Sequence, residues 1–346
     1  MKIAIIGAGF FGLAAAIKIK EKYPNSVVSI YEMRSDLLLG TSGKNQFRWH
    51  LGYHYPRSDE TIQECKESFS EFNKYYGKSK ILSQNYYAIS KKDSNIGFSD
   101  YLKVLQKHNL KFKISKNHPL NVNTIEGVIK VDEKLINISK ARIITSKILK
   151  DLKINTYFNK KINLTSKFKK QFDFIIVATY ENNNFFLQKK KKMKFQLVEK
   201  IIVKTPKFLK KKSYVIMDGK FMCIDPYENS KYSIIGNVKK SIHLENIDYI
   251  PNIDKKYKIL IQKYYNNKKN FSRFDEINDD YKYFFNKKEN LKFHSSFYVL
   301  RCTEPYKEKT DERLTNIEIQ GKIISLFAGK WVSCFEGAKK LLKILK

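Results

Sequence analysis

Arginine and histidine, the side chains best suited to hold an anion and to move a proton, are concentrated in one short stretch of this chain. Residues 40–60, GTSGKNQFRWHLGYHYPRSDE, contain Arg48, His50, His54 and Arg57, whereas the whole chain of 346 residues has seven arginines and six histidines. A guanidinium binds carboxylate or phosphate in a bidentate way, and imidazole titrates close to neutral pH. The concentration of these residues in a Gly- and Ser-rich stretch predicts a ligand site.

The N-terminus, MKIAIIGAGFFGLAAAIKIK, carries the G-x-G-x-x-G pattern of a nucleotide-binding turn. Its glycines follow an apolar strand-like run and precede a helical pattern, and a second strand-like run, VVSIYE, ends in an acid 20 residues beyond the last glycine. In this fingerprint the glycines allow a tight turn, close approach to a pyrophosphate and helix packing, and the acid binds ribose hydroxyls. A lysine before an apolar run is also found in cleaved leaders, but the spacing of glycines and acid favours dinucleotide binding. The predicted cofactor-binding residues here are Gly7, Gly9, Phe11, Gly12 and Glu32.

The net charge of +33 raises the question of nucleic-acid binding. Only seven of the 67 basic residues are arginine, and the lysines run from one end of the chain to the other. Polyanion-binding surfaces more often use the bidentate fork of arginine. The densest runs, QKKKKMK (188–194) and KFLKKKS (207–213), are typical of solvated loops. We therefore expect a small-molecule substrate and consider a nucleic-acid partner unlikely from the sequence.

Cysteine usage and hydropathy limit the cellular compartments in which the protein is expected. The four cysteines are scattered and form no CxxC pair, which fits a reducing compartment and predicts a cytoplasmic protein. No apolar run reaches the ~18 residues of a transmembrane helix, so we expect at most peripheral membrane contact. With 42% hydrophobic residues, the chain is long enough for two globular domains. No metal site is predicted.

After Glu32 the chain enters the loop described above and does not begin a third strand–helix unit. The loop reads Thr41-Ser42-Gly43-Lys44-Asn45 and then HLGYHY from His50. In this order, an acid, T/S-S-G-x-N and H-x-G-h-x-Y, the sequence resembles the FAD-dependent oxidoreductases of the D-amino-acid oxidase superfamily. That superfamily includes glycine and sarcosine oxidases, glycerol-3-phosphate dehydrogenase and L-2-hydroxyglutarate dehydrogenase. The resemblance implies FAD as cofactor, with Thr41, Ser42 and Asn45 donating to phosphate and ribose and His50 near the flavin ring.

Further segments extend the resemblance over most of the chain. FDFIIVATY (172–180) resembles the buried strand that ends in Ala-Thr-Gly beside the flavin, which implies that Ala178 and Thr179 contact the cofactor. Tyr180 stands where the family has glycine, a departure at a point of close backbone approach. Residues 127–159 resemble a strand, crossover helix and strand, and residues 310–342 resemble the closing strand, Gly-Lys loop and last helix. The resemblance of residues 310–342 implies that the pyrimidine side of the flavin is bordered by Gly329, Lys330 and Trp331.

These segments imply an α/β fold with two domains. A Rossmann-type FAD-binding domain is expected to be discontinuous, formed by residues 1–85, 135–185 and 296–346. Alternating strand patterns such as LKFKIS and NLKFHSSFYVLRC predict an antiparallel-sheet substrate domain of α+β type, formed by residues 86–134 and 186–295.

Three residues are candidates for catalysis and substrate binding. His50 is either a base that accepts a proton from the substrate or a histidine that only packs or hydrogen-bonds at the flavin ring. Arg301, in VLRCTEPY, and Arg48 are either anchors for a carboxylate or phosphate or members of salt bridges. Cys302 and Cys334 lie near the flavin in the implied fold, where small buried hydrophobes are favoured over covalent attachment of FAD.

Three functions remain open from the sequence. The first is an FAD-dependent oxidase or dehydrogenase that removes hydride from a CH–NH or CH–OH carbon of a small, anionic substrate, either an amino acid, an amine or a 2-hydroxy acid. The second is a flavoenzyme that acts on a larger anionic partner such as tRNA or a glycan precursor, with the lysines assisting encounter. The third is a non-catalytic scaffold without cofactor, which would explain Tyr180 but not the intact glycines.

Overall fold

The computed structural model describes residues 1–219, 221–228, 231–262, 266–267, 269–286, 289–327 and 329–345. Within these residues the strands are β1 (Lys2–Ile6), β2 (Val27–Tyr31), β3 (Arg48–Trp49), β4 (Lys80–Ile81), β5 (Gln84–Ser90), β6 (Phe112–Ile114), β7 (Ile125–Val131), β8 (Lys134–Ile136), β9 (Asn155–Tyr157), β10 (Phe174–Val177), β11 (Met193–Lys204), β12 (Lys212–Met217), β13 (Met222–Tyr227), β14 (Tyr232–Asn237), β15 (Ile242–Asp248), β16 (Lys292–Thr303), β17 (Asn316–Gln320) and β18 (Ile323–Phe327). The helices are α1 (Phe10–Lys22), α2 (Asp59–Tyr76), α3 (Phe98–Lys107), α4 (Ile138–Asp151), α5 (Ser166–Lys170), α6 (Lys255–Gln262), α7 (Phe274–Phe284) and α8 (Cys334–Leu342).

The first sheet has the strand order β17-β18-β10-β1-β2-β9. All neighbours are parallel except β17 and β18, which form a hairpin. The central strand β1 is apolar because both of its faces are covered, as parallel sheets require. Helix α1 follows it directly and is buried along nearly its whole length. The predicted strand–glycine turn–helix–strand unit is therefore present.

The second sheet has the order β15-β11-β14-β13-β12-β5-β7-β6, with β16 paired to β11. Its pairs are antiparallel except β5 with β12, which run parallel. A small sheet, β3-β8-β4, lies in the segments that lead from one large sheet to the other. The α/β fold class with parallel and antiparallel sheets is confirmed.

One domain boundary differs from the prediction. Strand β16 was assigned from residue 296 onward to the FAD-binding domain, but it pairs with β11 from Lys292 to Thr303. The whole strand belongs to the second sheet, because β16 pairs with β11 along its length and its backbone groups facing β11 are hydrogen-bonded there. Residues 296–303, which the prediction assigns to the FAD-binding domain, thus belong to the second sheet.

The two sheets share one large apolar core. It joins α1 and α8 residues such as Leu13 and Leu341 to second-sheet residues such as Tyr87 and Ile234. Within the described ranges, no helix combines the length and apolar composition needed to cross a membrane.

Candidate active site

A cavity of about 790 Å³ runs from the glycine turn after β1 to the face of the second sheet. Its volume lies within the usual range of small-molecule and cofactor sites, roughly 300–1,000 Å³. One end is at the carboxyl ends of β1 and β2, where nucleotides bind in open α/β sheets. The other end is lined by β11, β13 and β16 residues. Every residue predicted to bind cofactor or substrate, except Gly12, lines this cavity.

The three fingerprint glycines are required by close contacts. Gly7 has φ +103°, and a Cβ there would lie 2.5 Å from the carbonyl oxygen of Ala178. A Cβ on Gly12 would lie 2.0 Å from the carbonyl oxygen of Gly7, so glycine is what allows α1 to pack on β1. A Cβ on Gly9 would point towards Ser42 Oγ at 3.0 Å. Larger residues would fill the cradle at the start of α1.

Polar groups at the start of α1 suit a phosphate and a ribose. The hydroxyl of Ser42 accepts a hydrogen bond from the Phe10 backbone N–H at 3.1 Å, so it lies at the positive end of the helix. Glu32 is buried and accepts from the backbone N–H groups of Ala8 at 2.9 Å and Arg34 at 2.8 Å. Each carboxylate oxygen keeps a second lone pair for a ribose hydroxyl.

Asn45 has a different role from the predicted donor to phosphate or ribose. Its side-chain amide donates to the carbonyls of Thr41 at 3.0 Å and Ser42 at 2.9 Å, and its Oδ1 accepts from the Phe47 N–H. These bonds use both amide donors within the loop. Asn45 therefore shapes the loop that presents Ser42 and Thr41.

The Ala178-Thr179-Tyr180 segment shows how the chain tolerates the missing glycine. Tyr180 has φ +56°, a backbone conformation that a bulky residue rarely adopts. Its ring stacks on Phe327 at 5.6 Å, and its hydroxyl donates to the Cys302 carbonyl at 2.5 Å. The side chain is thereby held against the junction of the two sheets, and the left-handed turn that glycine would make is kept.

The Gly-Lys loop brings a cation to the cavity. A Cβ on Gly329 would lie 2.1 Å from the carbonyl oxygen of Arg313, so this loop also requires glycine. Lys330 Nζ lies 4.4 Å from the ring centre of Tyr55. Burial, with repulsion from Arg313, lowers the pKa of Lys330 to about 8. The Trp331 ring stacks on Phe10 at 5.2 Å.

Arg48 forms salt bridges, the alternative to a substrate anchor that the sequence left open. Its guanidinium is almost completely buried and pairs with Asp225 and, at 3.1 Å, with Glu133. The same guanidinium also donates to Ser213. Because two carboxylates already neutralise it, Arg48 binds β3 to β13 and to the turn between β7 and β8, and we do not assign it to substrate.

His50 has the environment of a neutral base. Its Nδ1 lies 3.4 Å from Glu133 Oε1, and the side chain lines the cavity. Burial lowers the pKa of His50 below its usual 6.5, although Glu133 opposes the shift. Burial alone would raise the pKa of Glu133, but His50 and Arg48 hold it at about 2. His50 is therefore a neutral imidazole at neutral pH, with an ionised carboxylate beside one nitrogen.

Arg301 extends from β16 into the cavity. Its Nε donates to Gln196 Oε1 at 2.7 Å. Within the described residues, no carboxylate lies at ion-pair distance from Arg301, in contrast to Arg48. Burial, with repulsion from Arg313, lowers the pKa of this guanidinium. Its Nη groups remain available to a ligand anion.

The two cysteines considered for covalent attachment do not line the cavity. Cys302 is buried in a small apolar cluster with Phe195 and Leu300, on the face of β16 opposite to Arg301. Cys334 is completely buried in the main core. Both are buried, unbonded thiols, as favoured from the sequence.

Sequence reasoning missed several polar residues of the cavity. Burial raises the pKa of Glu181 to about 7, and its Oε2 accepts from the Thr41 hydroxyl at 3.5 Å. Burial lowers the pKa of Lys44 to about 8. Lys200, on β11, also lines the cavity. In the sequence each of these residues is one charged residue among many and does not indicate a site, because only the folded chain brings the three together.

Comparisons with known proteins agree with this geometry. Residues 2–87 match the family described as DAO, FAD dependent oxidoreductase. The FAD-dependent monooxygenase FPY4 of Fusarium mangiferae is 28% identical over 141 residues, which cover 40% of this chain and 38% of that protein.

Solved structures share the fold over nearly the whole chain. Glycine oxidase from Geobacillus kaustophilus has a TM-score of 0.68 at 10% identity, over 99% of this chain and 94% of that chain. L-alpha-glycerophosphate oxidase from Mycoplasma pneumoniae, solved with FAD bound, has a TM-score of 0.70 at 12% identity, over 99% and 94%. Residues 2–87 thus match FAD-dependent oxidoreductases of the D-amino-acid oxidase type, and the whole chain shares the fold of the two oxidases. The family match agrees with the FAD cofactor predicted from the sequence.

Proposed function

We propose that this protein is an FAD-dependent oxidoreductase that removes hydride from a CH–NH or CH–OH carbon of a small anionic substrate. The observation that carries the proposal is the arrangement of three unlike groups, Arg301, His50 and Lys330, on the wall of the cavity that contains the dinucleotide fingerprint. This arrangement supports a flavoenzyme over a cofactor-free scaffold.

The glycine cradle and Ser42 fit a pyrophosphate, and Glu32 fits a ribose, so these residues would hold FAD. When bound, the flavin supplies the two-electron acceptor that amino-acid side chains lack. The Gly-Lys loop, by its resemblance to the family, would border the pyrimidine side of the ring. There the Lys330 ammonium stabilises negative charge.

Arg301 binds and orients the substrate. Its free Nη groups form a fork that matches a carboxylate or a phosphate, and the partly dehydrated site strengthens that interaction. His50 accepts the proton of the substrate hydroxyl or ammonium at Nε2, because Nδ1 faces Glu133. Glu133 remains ionised and stabilises the imidazolium that results, so it is a positioning residue.

The test is anaerobic reduction of the purified holoprotein by a panel of amino acids, amines and 2-hydroxy acids. We expect at least one of them to bleach the visible flavin absorbance, and Arg301→Ala to raise the concentration required far more than it lowers the rate at saturation. Lys204→Met, which removes an exposed cation at the end of β11, is the control and should leave both quantities unchanged. A yellow protein that no member of the panel reduces would contradict the proposal.

The name of the Fusarium relative supports a second candidate, insertion of oxygen into the substrate. The two activities leave different products once air is admitted. An oxidase releases one hydrogen peroxide for each substrate oxidised. A monooxygenase transfers one atom of O2 to the organic product and reduces the other to water, with two electrons from a nicotinamide reductant that the assay must supply. Measuring peroxide together with product mass in labelled oxygen separates them.

A further inference from the structure

The floor of the cavity has a cation at each end and an apolar middle. Strands β11 and β16 are antiparallel, with Gln196 opposite Arg301 and Val198 opposite Val299. Lys200 follows two residues after Val198, so its side chain leaves the same face of β11. Arg301, both valines and Lys200 all line the cavity. We call Val198 and Val299 the valine floor.

The two cations are well separated along the sheet. Gln196, which is opposite Arg301, precedes Lys200 by four residues, so the backbone positions are roughly 14 Å apart at the usual strand rise. Both side chains are long and flexible, which allows their charged ends to approach a ligand lying on the valine floor between them. Repulsion from Arg301 reaches Lys200 across this distance, since it adds to burial in lowering the pKa of the lysine.

Lys200 has no carboxylate partner within the described residues. The oxygens of the buried Asp225 are engaged by Arg48, Ser213 and Gln46. Glu133 is engaged by Arg48 and Tyr87. Among the described residues, the ammonium therefore has no carboxylate at ion-pair distance in a partly dehydrated cavity, an arrangement that costs free energy until an anion binds.

The sheet is also shaped to leave room for the Lys200 ammonium. A Cβ on Gly236 of β14 would lie 2.9 Å from Lys200 Nζ. Glycine in the interior of a strand weakens it and is typical of a close approach by another group. At this position the approaching group is the charged end of Lys200.

We propose that the substrate is a small dianion whose charged groups bind at opposite ends of the valine floor, one at Arg301 and the other at Lys200. Dicarboxylic amino acids and hydroxy acids belong to this class. The inference deepens the proposed function and rests on it, because it takes the oxidised carbon to lie between the two anions. Lys200 is then the residue that selects dianions over monoanions.

The test uses two ligands that have the same five-carbon chain and no amine or hydroxyl to oxidise, namely glutarate and valerate. Each is titrated into the FAD-loaded protein while the visible flavin spectrum is recorded. We expect glutarate to bind at least about tenfold more tightly than valerate, because its second carboxylate forms a charge-assisted hydrogen bond with Lys200. Lys200→Met should reduce this ratio to about one and leave valerate affinity nearly unchanged.

The matched control is Lys204→Met, which removes the same charge from the same strand at an exposed position outside the cavity and should keep the wild-type ratio. Equal or undetectable binding of both ligands by the wild type, or a full preference in Lys200→Met, would overturn the inference. Failure of the proposed function is a separate result, namely no bleaching by any amino or hydroxy acid.

Discussion

Nδ1 of His50 lies 3.4 Å from Oε1 of the completely buried Glu133. The carboxylate also accepts a hydrogen bond from the Leu51 N–H at 3.0 Å and one from the Tyr87 hydroxyl. Together with the Arg48 guanidinium, these bonds fix the carboxylate on three sides, next to the imidazole. This pair is the basis of the first prediction.

His50→Gln should keep FAD bound and slow anaerobic flavin reduction by about 10² to 10⁴, the usual range for loss of a positioned acid or base. The measurement is the rate constant for bleaching at saturating substrate. His294→Gln, at an exposed position of β16, is the control and should react like the wild type.

The pH dependence of the wild type gives an independent check. A base works only when it is deprotonated, and burial lowers the pKa of His50 below 6.5. On the acid side, the bleaching rate should therefore stay constant from neutral pH down to 6.5 and fall below that pH. If His50→Gln has the same rate as the wild type at every pH, the histidine is structural.

Lys330→Met should slow flavin reduction by about 10², because it removes the cation assigned to the pyrimidine side of the ring. The pKa of Lys330 is about 8, so the ammonium is lost as the pH rises through that value. The wild-type rate should consequently fall above about pH 8. The variant should lack this alkaline fall, and a fall that persists in the variant would assign it to another group.

Arg48→Met should destabilise the fold by about 3–5 kcal/mol, since Asp225 and Glu133 would be left as uncompensated buried charges. Urea unfolding of the FAD-free protein measures the free energy. If Arg48→Met lowers the free energy of unfolding by less than about 1 kcal/mol and greatly raises the substrate concentration at half-saturation, Arg48 is a substrate anchor.

Gly9→Val should yield colourless protein that takes up no added FAD, because the branched side chain fills the cradle beside Ser42. Gly97→Val is a matched control. Both glycines precede a helix with extended backbone, at φ −79° and ψ 174° for Gly9 and φ −78° and ψ 159° for Gly97. At Gly97 the nearest atom to a Cβ is at an ordinary 3.7 Å, so that variant should stay yellow.

Local patterns in the sequence were sufficient to predict the nucleotide-binding end of the site. Gly7, Gly9, Gly12 and Glu32 lie within 32 residues, and their spacing reflects one strand–turn–helix–strand unit whose geometry is the same wherever it occurs. Tyr180 shows the limit of this reasoning. The sequence predicted a departure from the family at this point, but its φ of +56° and its stacking on Phe327 depend on a strand that follows more than 140 residues later.

The sequence by itself determined the fold class, the dinucleotide fingerprint and the loop that carries His50, because these depend on short-range spacing and on apolar periodicity. Its resemblance to the D-amino-acid oxidase superfamily implied that the dinucleotide is FAD. The tertiary structure decided which charges are paired. Arg48 is neutralised by Asp225, 177 positions away, and by Glu133, 85 positions away, whereas Arg301 and Lys200 line the cavity without an acid at ion-pair distance among the described residues. Each of these is one cation among 67 in the sequence. The free energy of a buried charge depends on its distance to other charges in space. That distance cannot be read from the separation of the residues along the chain.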